Sequence, residues 1–104
     1  MSYCVIVTLT DNMEEAKRIA YELVTHKLAA CTNIIQGVTS VYQWKGEICE
    51  DGEFMLFIKT RRELFEQVKK CITENHSYDL SACYMIPIET GSEEFFGWIQ
   101  ENTI

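Results

Sequence analysis

Two extended stretches, each longer than an ordinary strand, meet at Lys45-Gly46 and leave few folds open. Before the turn, Val38, Ser40, Tyr42 and Trp44 alternate with Thr39, Val41 and Gln43, so each set shares one side of a strand. Lys-Gly supplies a two-residue hairpin turn. After it, Glu47 to Ile58 begins acidic, with Glu47, Glu50, Asp51 and Glu53, and ends apolar, with Phe54-Met55-Leu56-Phe57-Ile58. The pattern predicts a hairpin whose base lies in a core and whose outer part is exposed or covered by another chain. An arm of this length is more than a 104-residue monomer covers, which points to oligomerisation.

The flanking segments complete one α+β domain over residues 1–104. Tyr3 to Leu9 is an almost unbroken apolar run and reads as a strand covered on both faces. Asp11 and Glu14 resemble a capping box. From there Ala16, Ile19, Ala20, Leu23 and Val24 recur at helical spacing, predicting a helix from about Asn12 to Lys27. Thr60-Arg61-Arg62-Glu63 is a second capping box, ahead of the stripe Leu64, Phe65, Val68, Cys71 and Ile72. Tyr84 to Ile88 reads as a fourth strand, placed at an edge or strand end by Pro87, which has no N–H for a ladder. Thr90-Gly91-Ser92-Glu93 caps a short last helix bearing Phe95, Phe96 and Ile99. The order β-α-β-β-α-β plus a terminal helix is the ferredoxin-like arrangement, with two helices on one face of an antiparallel sheet.

This topology hosts many functions, so chemistry has to be sought in residues. A net charge of −7 repels phosphate backbones and argues against a nucleic-acid partner. An RNA-recognition module needs a basic, Gly-rich third strand, and Glu53 to Lys59 starts acidic. A copper chaperone needs a CxxC pair after strand one, where Thr10-Asp11-Asn12-Met13 stands instead. Five widely spaced cysteines form neither an iron–sulfur cluster motif nor a disulfide framework, and they suit a reducing, cytoplasmic setting. A phosphatase anion cradle conflicts with acidic Asp11 at the first βα turn. No nucleophile–base pair or paired carboxylates are readable, so a binding protein is expected rather than an enzyme. No apolar run reaches the ~20 residues of a membrane helix, and the first residues lack the basic region and cleavage site of a signal peptide.

Several motifs together resemble the CutA family of divalent-cation tolerance proteins. Leu28-Ala29-Ala30-Cys31-Thr32-Asn33-Ile34 is similar to the family's LAACVNI segment. Ser40 to Ile48 resembles its SxYxWxGxI hairpin, continued by Asp51, Glu53, Lys59 and Thr60. His76-Ser77-Tyr78-Asp79 is similar to its HPYE-type segment, and Ile86-Pro87-Ile88, Gly91 and Trp98-Ile99 follow its C-terminal pattern. The resemblance spans nearly the whole chain. It implies a homotrimer whose arms wrap neighbouring subunits, an architecture like that of the trimeric nitrogen-regulatory signalling proteins, and a link to copper and other divalent ions. No cofactor is required on this reading; copper or another divalent cation is the candidate ion. A small-ligand-binding signalling or interaction scaffold is the alternative.

The resemblance places the metal ligands of some members at Leu9, His76 and Ala82, and only His76 carries a donor atom. Ser77 stands where the family has proline, and Cys83 lies one position past the missing glutamate. His76, Cys31 and Cys83 are therefore the candidate metal residues. Each has a plainer reading: His76 as a helix-end histidine favoured by the dipole, the thiols as small core residues. Tyr42, Trp44, Tyr78 and Lys59 are the candidate cleft residues, the aromatics serving equally as interface anchors. The acids Glu47, Asp51 and Glu53 share one side of the arm and either bind cations or keep the edge from pairing.

Overall fold

The computed structural model describes residues 2–104. Strand β1 (Tyr3–Thr10) leads to α1 (Met13–Thr25), then to β2 (Cys31–Trp44) and β3 (Glu47–Arg61). A 3-10 turn (Arg62–Leu64) opens α2 (Phe65–Asn75), followed by β4 (Tyr84–Ile88) and α3 (Glu93–Glu101). The sheet is antiparallel with the order β2-β3-β1-β4, the ferredoxin-like arrangement, and Pro87 does lie in an edge strand.

Alternation divides the sheet into two unlike faces. Cys4, Ile6, Leu56 and Ile58 pack beneath the helical stripes of Ala16, Ile19 and Leu23 from α1 and of Leu64, Val68 and Ile72 from α2. A fully buried Ile or Leu of this kind is worth roughly 1.5–3 kcal/mol. The opposite face carries cross-strand rows. Cys31, Lys59, Val5 and Ile86 form one; Asn33, Phe57, Val7 and Tyr84 the next. Helix α3 and the residues after it cover one end of this face, where Phe96 stacks on Tyr3 and Arg61 donates to Thr103, and the rest is open: Tyr84 is 48% exposed, Ile86 49% and Ile35 40%. Strand β1 is thus covered fully on the helix side and in part on the other, where Val7 is buried and Tyr3 and Val5 are half-buried. Toward β4 and the arm, the apolar residues of the other face are present without a cover.

The arm forms because β1 pairs with β3 only from Phe54 to Arg61, while β2 stays paired with β3 out to Trp44 and Glu47. Beyond Phe54 the hairpin has no third strand, a reach of about 20 Å at the usual strand rise. Lys45 (φ 50°) and Gly46 (φ 83°) take the two left-handed positions of a type I′ turn. Gly37, at φ 77°, sits in a bulge between Ile35 and Val38 that adds one residue to β2 and bends the arm.

Two helix starts differ from the sequence pattern. At α1 the cap is Asn12, whose side-chain oxygen accepts from the Glu15 N–H at 2.7 Å. Thr10 is still laddered to Phe54, so the chain first turns free at Asp11 and the capping geometry falls one residue later. Ahead of α2, Thr60 and Arg61 remain in β3, and the Thr60 hydroxyl donates to the Leu28 carbonyl at 2.6 Å. That hydroxyl is committed to the loop after α1, and the helix enters through the 3-10 turn with no side-chain cap. At α3, Ser92 caps as its sequence predicts, accepting from the Phe95 N–H.

Candidate functional site

A cavity of about 600 Å³ opens where the base of the arm meets the loop between α2 and β4. Strand β1 ends beside the point where β4 begins, so Leu9 and Asp11 come next to Tyr78, Asp79, Leu80 and Ala82. The arm supplies the facing wall with Tyr42, Trp44, Asp51 and Glu53, which alternation and cross-strand register place on one side. Three of the four expected cleft residues therefore meet. Lys59 stands apart, in the sheet row with Cys31 and Val5, where its ammonium donates to the Asn33 side-chain oxygen.

The cavity is acidic and aromatic. The Tyr78 hydroxyl donates to Glu53 Oε2 at 2.9 Å, and the Tyr42 hydroxyl donates to Asp51 Oδ2. The bond to Asp51, followed by desolvation and by the surrounding negative charges, pushes Tyr42 up to about 12. Burial first, then the bond to Glu53 and nearby carboxylates, also raises Tyr78. Just outside, the Lys45 ammonium lies over the Trp44 ring, 5.8 Å from its centroid.

Below the cavity, His76 is locked in place. Its side chain is 1% exposed. Nε2–H donates to the Leu9 carbonyl at 2.6 Å, and Nδ1 accepts from the Tyr78 N–H at 3.2 Å. A carbonyl only accepts and an amide N–H only donates, so these partners fix the Nε2–H tautomer. Buried Glu15 lies 3.8 Å from Nδ1, accepts from the Ser77 hydroxyl at 3.2 Å and pairs with Arg18 at 3.5 Å. The ring ties the end of α2 to the end of β1 and sets the loop that carries Tyr78.

The candidate metal residues do not come together. Cys31 lies on the uncovered sheet face, its thiol 3.8 Å from Asn33 Oδ1. Cys83 packs against the helix-side core, and burial, opposed by Lys69, raises its thiol pKa. Both ring nitrogens of His76 have backbone partners, and Leu9 and Ala82 offer no side-chain donor. Among the described residues no group of three or more His, Cys, Asp or Glu side chains could hold a metal ion. Within one chain, the donor set does not fit a metal at the position that the resemblance implies.

The sheet, the helices on one face and the long hairpin with a cavity at its base define an arm-bearing ferredoxin-like α+β protein. Residues 4–102 match the family described as CutA1 divalent ion tolerance protein, and the chain belongs to that family. It is 39% identical over 103 residues to the divalent-cation tolerance protein CutA of Thermus thermophilus, covering 99% of each chain. It is 38% identical to the chloroplastic protein CutA of Arabidopsis thaliana over 95% of this chain, but spans only 54% of that longer protein. The crystal structure of CutA1 from Oryza sativa superposes with a TM-score of 0.97 at 35% identity, covering 100% of this chain and 95% of that one. These descriptions name a tolerance protein and no class of enzyme.

Asp11, Asp79 and Leu80 are cavity residues that sequence reasoning did not single out. Their signal was positional: Asp11 follows β1 and Asp79-Leu80 precedes β4, and neighbouring antiparallel strands bring such ends together.

Proposed function

We propose that the chain acts as a homotrimeric divalent-metal-ion tolerance protein, a cytoplasmic binding protein rather than an enzyme, that takes up an ion such as copper in clefts between subunits. The observation that carries the reading is the open part of the sheet face opposite α1 and α2, where Tyr84 and Ile86, flanked by half-buried Val5 and Phe57, present apolar surface beside an arm that runs past its own domain. An exposed apolar face of this kind marks a contact with another protein surface. Family membership supports the link to divalent ions. Because one chain does not gather a ligand set, the ion is expected to draw on more than one subunit. Cys31, on the open side of the sheet, is the soft donor for that contact, since Cys83 packs against the core and both nitrogens of His76 are held by backbone groups. Five free cysteines support a reducing compartment.

Native mass spectrometry with and without one equivalent of copper per chain tests this. The expected result is a trimer with a fixed number of ions, reduced in Cys31→Ser. A monomer would overturn the assembly. A trimer with only a smear of weak adducts would remove the specific metal site and favour the second reading. That second reading, a small-ligand-binding scaffold, is favoured by the aromatic cavity at the base of the arm, whose volume falls in the ordinary range for small-molecule sites.

A further inference from the structure

We propose that the arm is a hinged flap over the cavity at its base, pivoting where the third strand ends and held shut by the hydrogen bond from Tyr78 to Glu53. The inference goes beyond both binding readings and does not depend on what fills the cavity. The pivot is visible in the ladder. Strand β1 follows β3 only as far as the Thr10–Phe54 pair. At that same level β2 carries its bulge: Gln36 and Gly37 together oppose Phe54, between the pairs Ile35–Met55 and Val38–Glu53. Gly37 holds φ 77° there, and Gly52 precedes Glu53 on the facing strand. The ribbon therefore loses its third strand, its regular ladder and the side chain at two positions in the same place, the features that let a strand bend.

Packing changes at the same point. Leu56 and Ile58 are fully buried, whereas no residue from Ile35 to Glu53 is buried. An isolated two-stranded hairpin is marginally stable in water, so this segment belongs to the low-stability end of the molecule and opens without the core. The arm nevertheless leans over the loop between α2 and β4: Tyr42, Gln43 and Trp44 line the same cavity as Asp79 and Leu80. Among the described residues, one side-chain hydrogen bond joins the arm beyond Phe54 to the rest of the chain, Tyr78 to Glu53 at 2.9 Å, and no ion pair does. The Tyr42–Asp51 bond lies within the arm and travels with it. The loop side of the latch is fixed, because His76 holds both the Tyr78 N–H and the Leu9 carbonyl. Trp44 sits about 20 Å beyond the root at the usual strand rise, so a small rotation at the root moves its ring by several ångströms.

Amide hydrogen exchange of the full chain, read by mass spectrometry, tests the proposal, with acrylamide quenching of Trp44 in a Trp98→Phe background as a second readout. Tyr78→Phe removes the latch hydroxyl and keeps the ring that packs on His76, centroids 4.7 Å apart. It is expected to speed exchange across residues 39–51 about tenfold, the scale of a hydrogen bond to a charged acceptor, and to raise the quenching of Trp44. Amides of α2 and of the paired base of β1 and β3 are expected to keep the parent's rates. Glu53→Gln, which keeps an acceptor, is expected to retain most of the protection. Gly52→Val added to Tyr78→Phe is expected to slow exchange again, since a Cβ there meets nothing within 4 Å and a β-branched residue stiffens the strand. Variants are compared at equal assembly, checked by native mass spectrometry. Equal exchange and equal quenching in Tyr78→Phe would overturn the proposal. A rise spread evenly over the arm and the core would overturn it as well, because it would show lost global stability in place of a hinge.

Discussion

Lys27 holds a backbone conformation, φ 57°, that glycine adopts without a Cβ clash. It does so because α1 ends in a Schellman arrangement: the Leu28 N–H donates to the Leu23 carbonyl at 2.9 Å and the Lys27 N–H to the Val24 carbonyl at 3.1 Å. Relief of a left-handed L-residue is worth roughly 1–2 kcal/mol, part of which the greater freedom of glycine in the unfolded chain offsets. Lys27→Gly is therefore expected to raise stability by about 0.5–1 kcal/mol, read as a higher urea midpoint at unchanged slope. Tyr42 offers a second test at this scale. Its bond to Asp51 favours the protonated phenol, so the folded value lies near 12 against an ordinary 10.0. A raised value means that this contribution to stability is complete below pH 10 and is lost as pH rises through about 12. Tyrosinate absorbance should show a late transition that Asp51→Asn moves back toward 10.0. No shift in that variant would mean that the bond does not govern the titration.

At the scale of elements, periodicity carried most of the fold. Alternation through Val38 to Trp44 and the Lys45-Gly46 turn placed the arm, and helical spacing placed α1 and α2. The caps were harder to read, because where a helix begins depends on where a ladder ends. Thr10 and Thr60 are held by Phe54 and Cys4, partners far away in sequence. The same reason limits the site. Tyr42 and Trp44 share a side by local alternation, whereas Asp11 and Asp79 reach them only through strand order. Nor could spacing reveal that His76 spends both nitrogens on backbone groups. Pro87 was legible, and its placement carries a prediction. In an edge strand of five residues it removes one donor from an otherwise open edge. Pro87→Thr is expected to change stability by less than about 0.5 kcal/mol while adding concentration-dependent association, followed by light scattering. A variant that stays as dispersed as the parent at high concentration would show that the edge is guarded by other means.

For the whole molecule, one fact governs the rest: the chain makes a two-faced sheet and covers one face fully, the other only at one end. The helix side is closed by Ile19, Leu23, Val68 and Ile72, all fully buried. The far side repeats the same apolar chemistry in Val5, Phe57, Tyr84 and Ile86, and there Tyr84 and Ile86 stay half exposed. If neighbouring copies supply that cover, a charge at its centre must be desolvated when they meet, and an unpaired buried charge costs several kcal/mol. In the separate chain the same position is half exposed, so the charge stays hydrated and the fold is spared. Ile86→Lys is therefore expected to give a folded single chain: helical circular dichroism close to the parent, with light-scattering mass reduced to one chain at micromolar concentration. Ile86→Val, which keeps the face apolar, is expected to retain the assembly. An Ile86→Lys protein that unfolds would mean that the face supports the chain's own core. One that remains assembled would move the contact to the arm, whose exposed Val41 and Ile48 are the next apolar surface available for it.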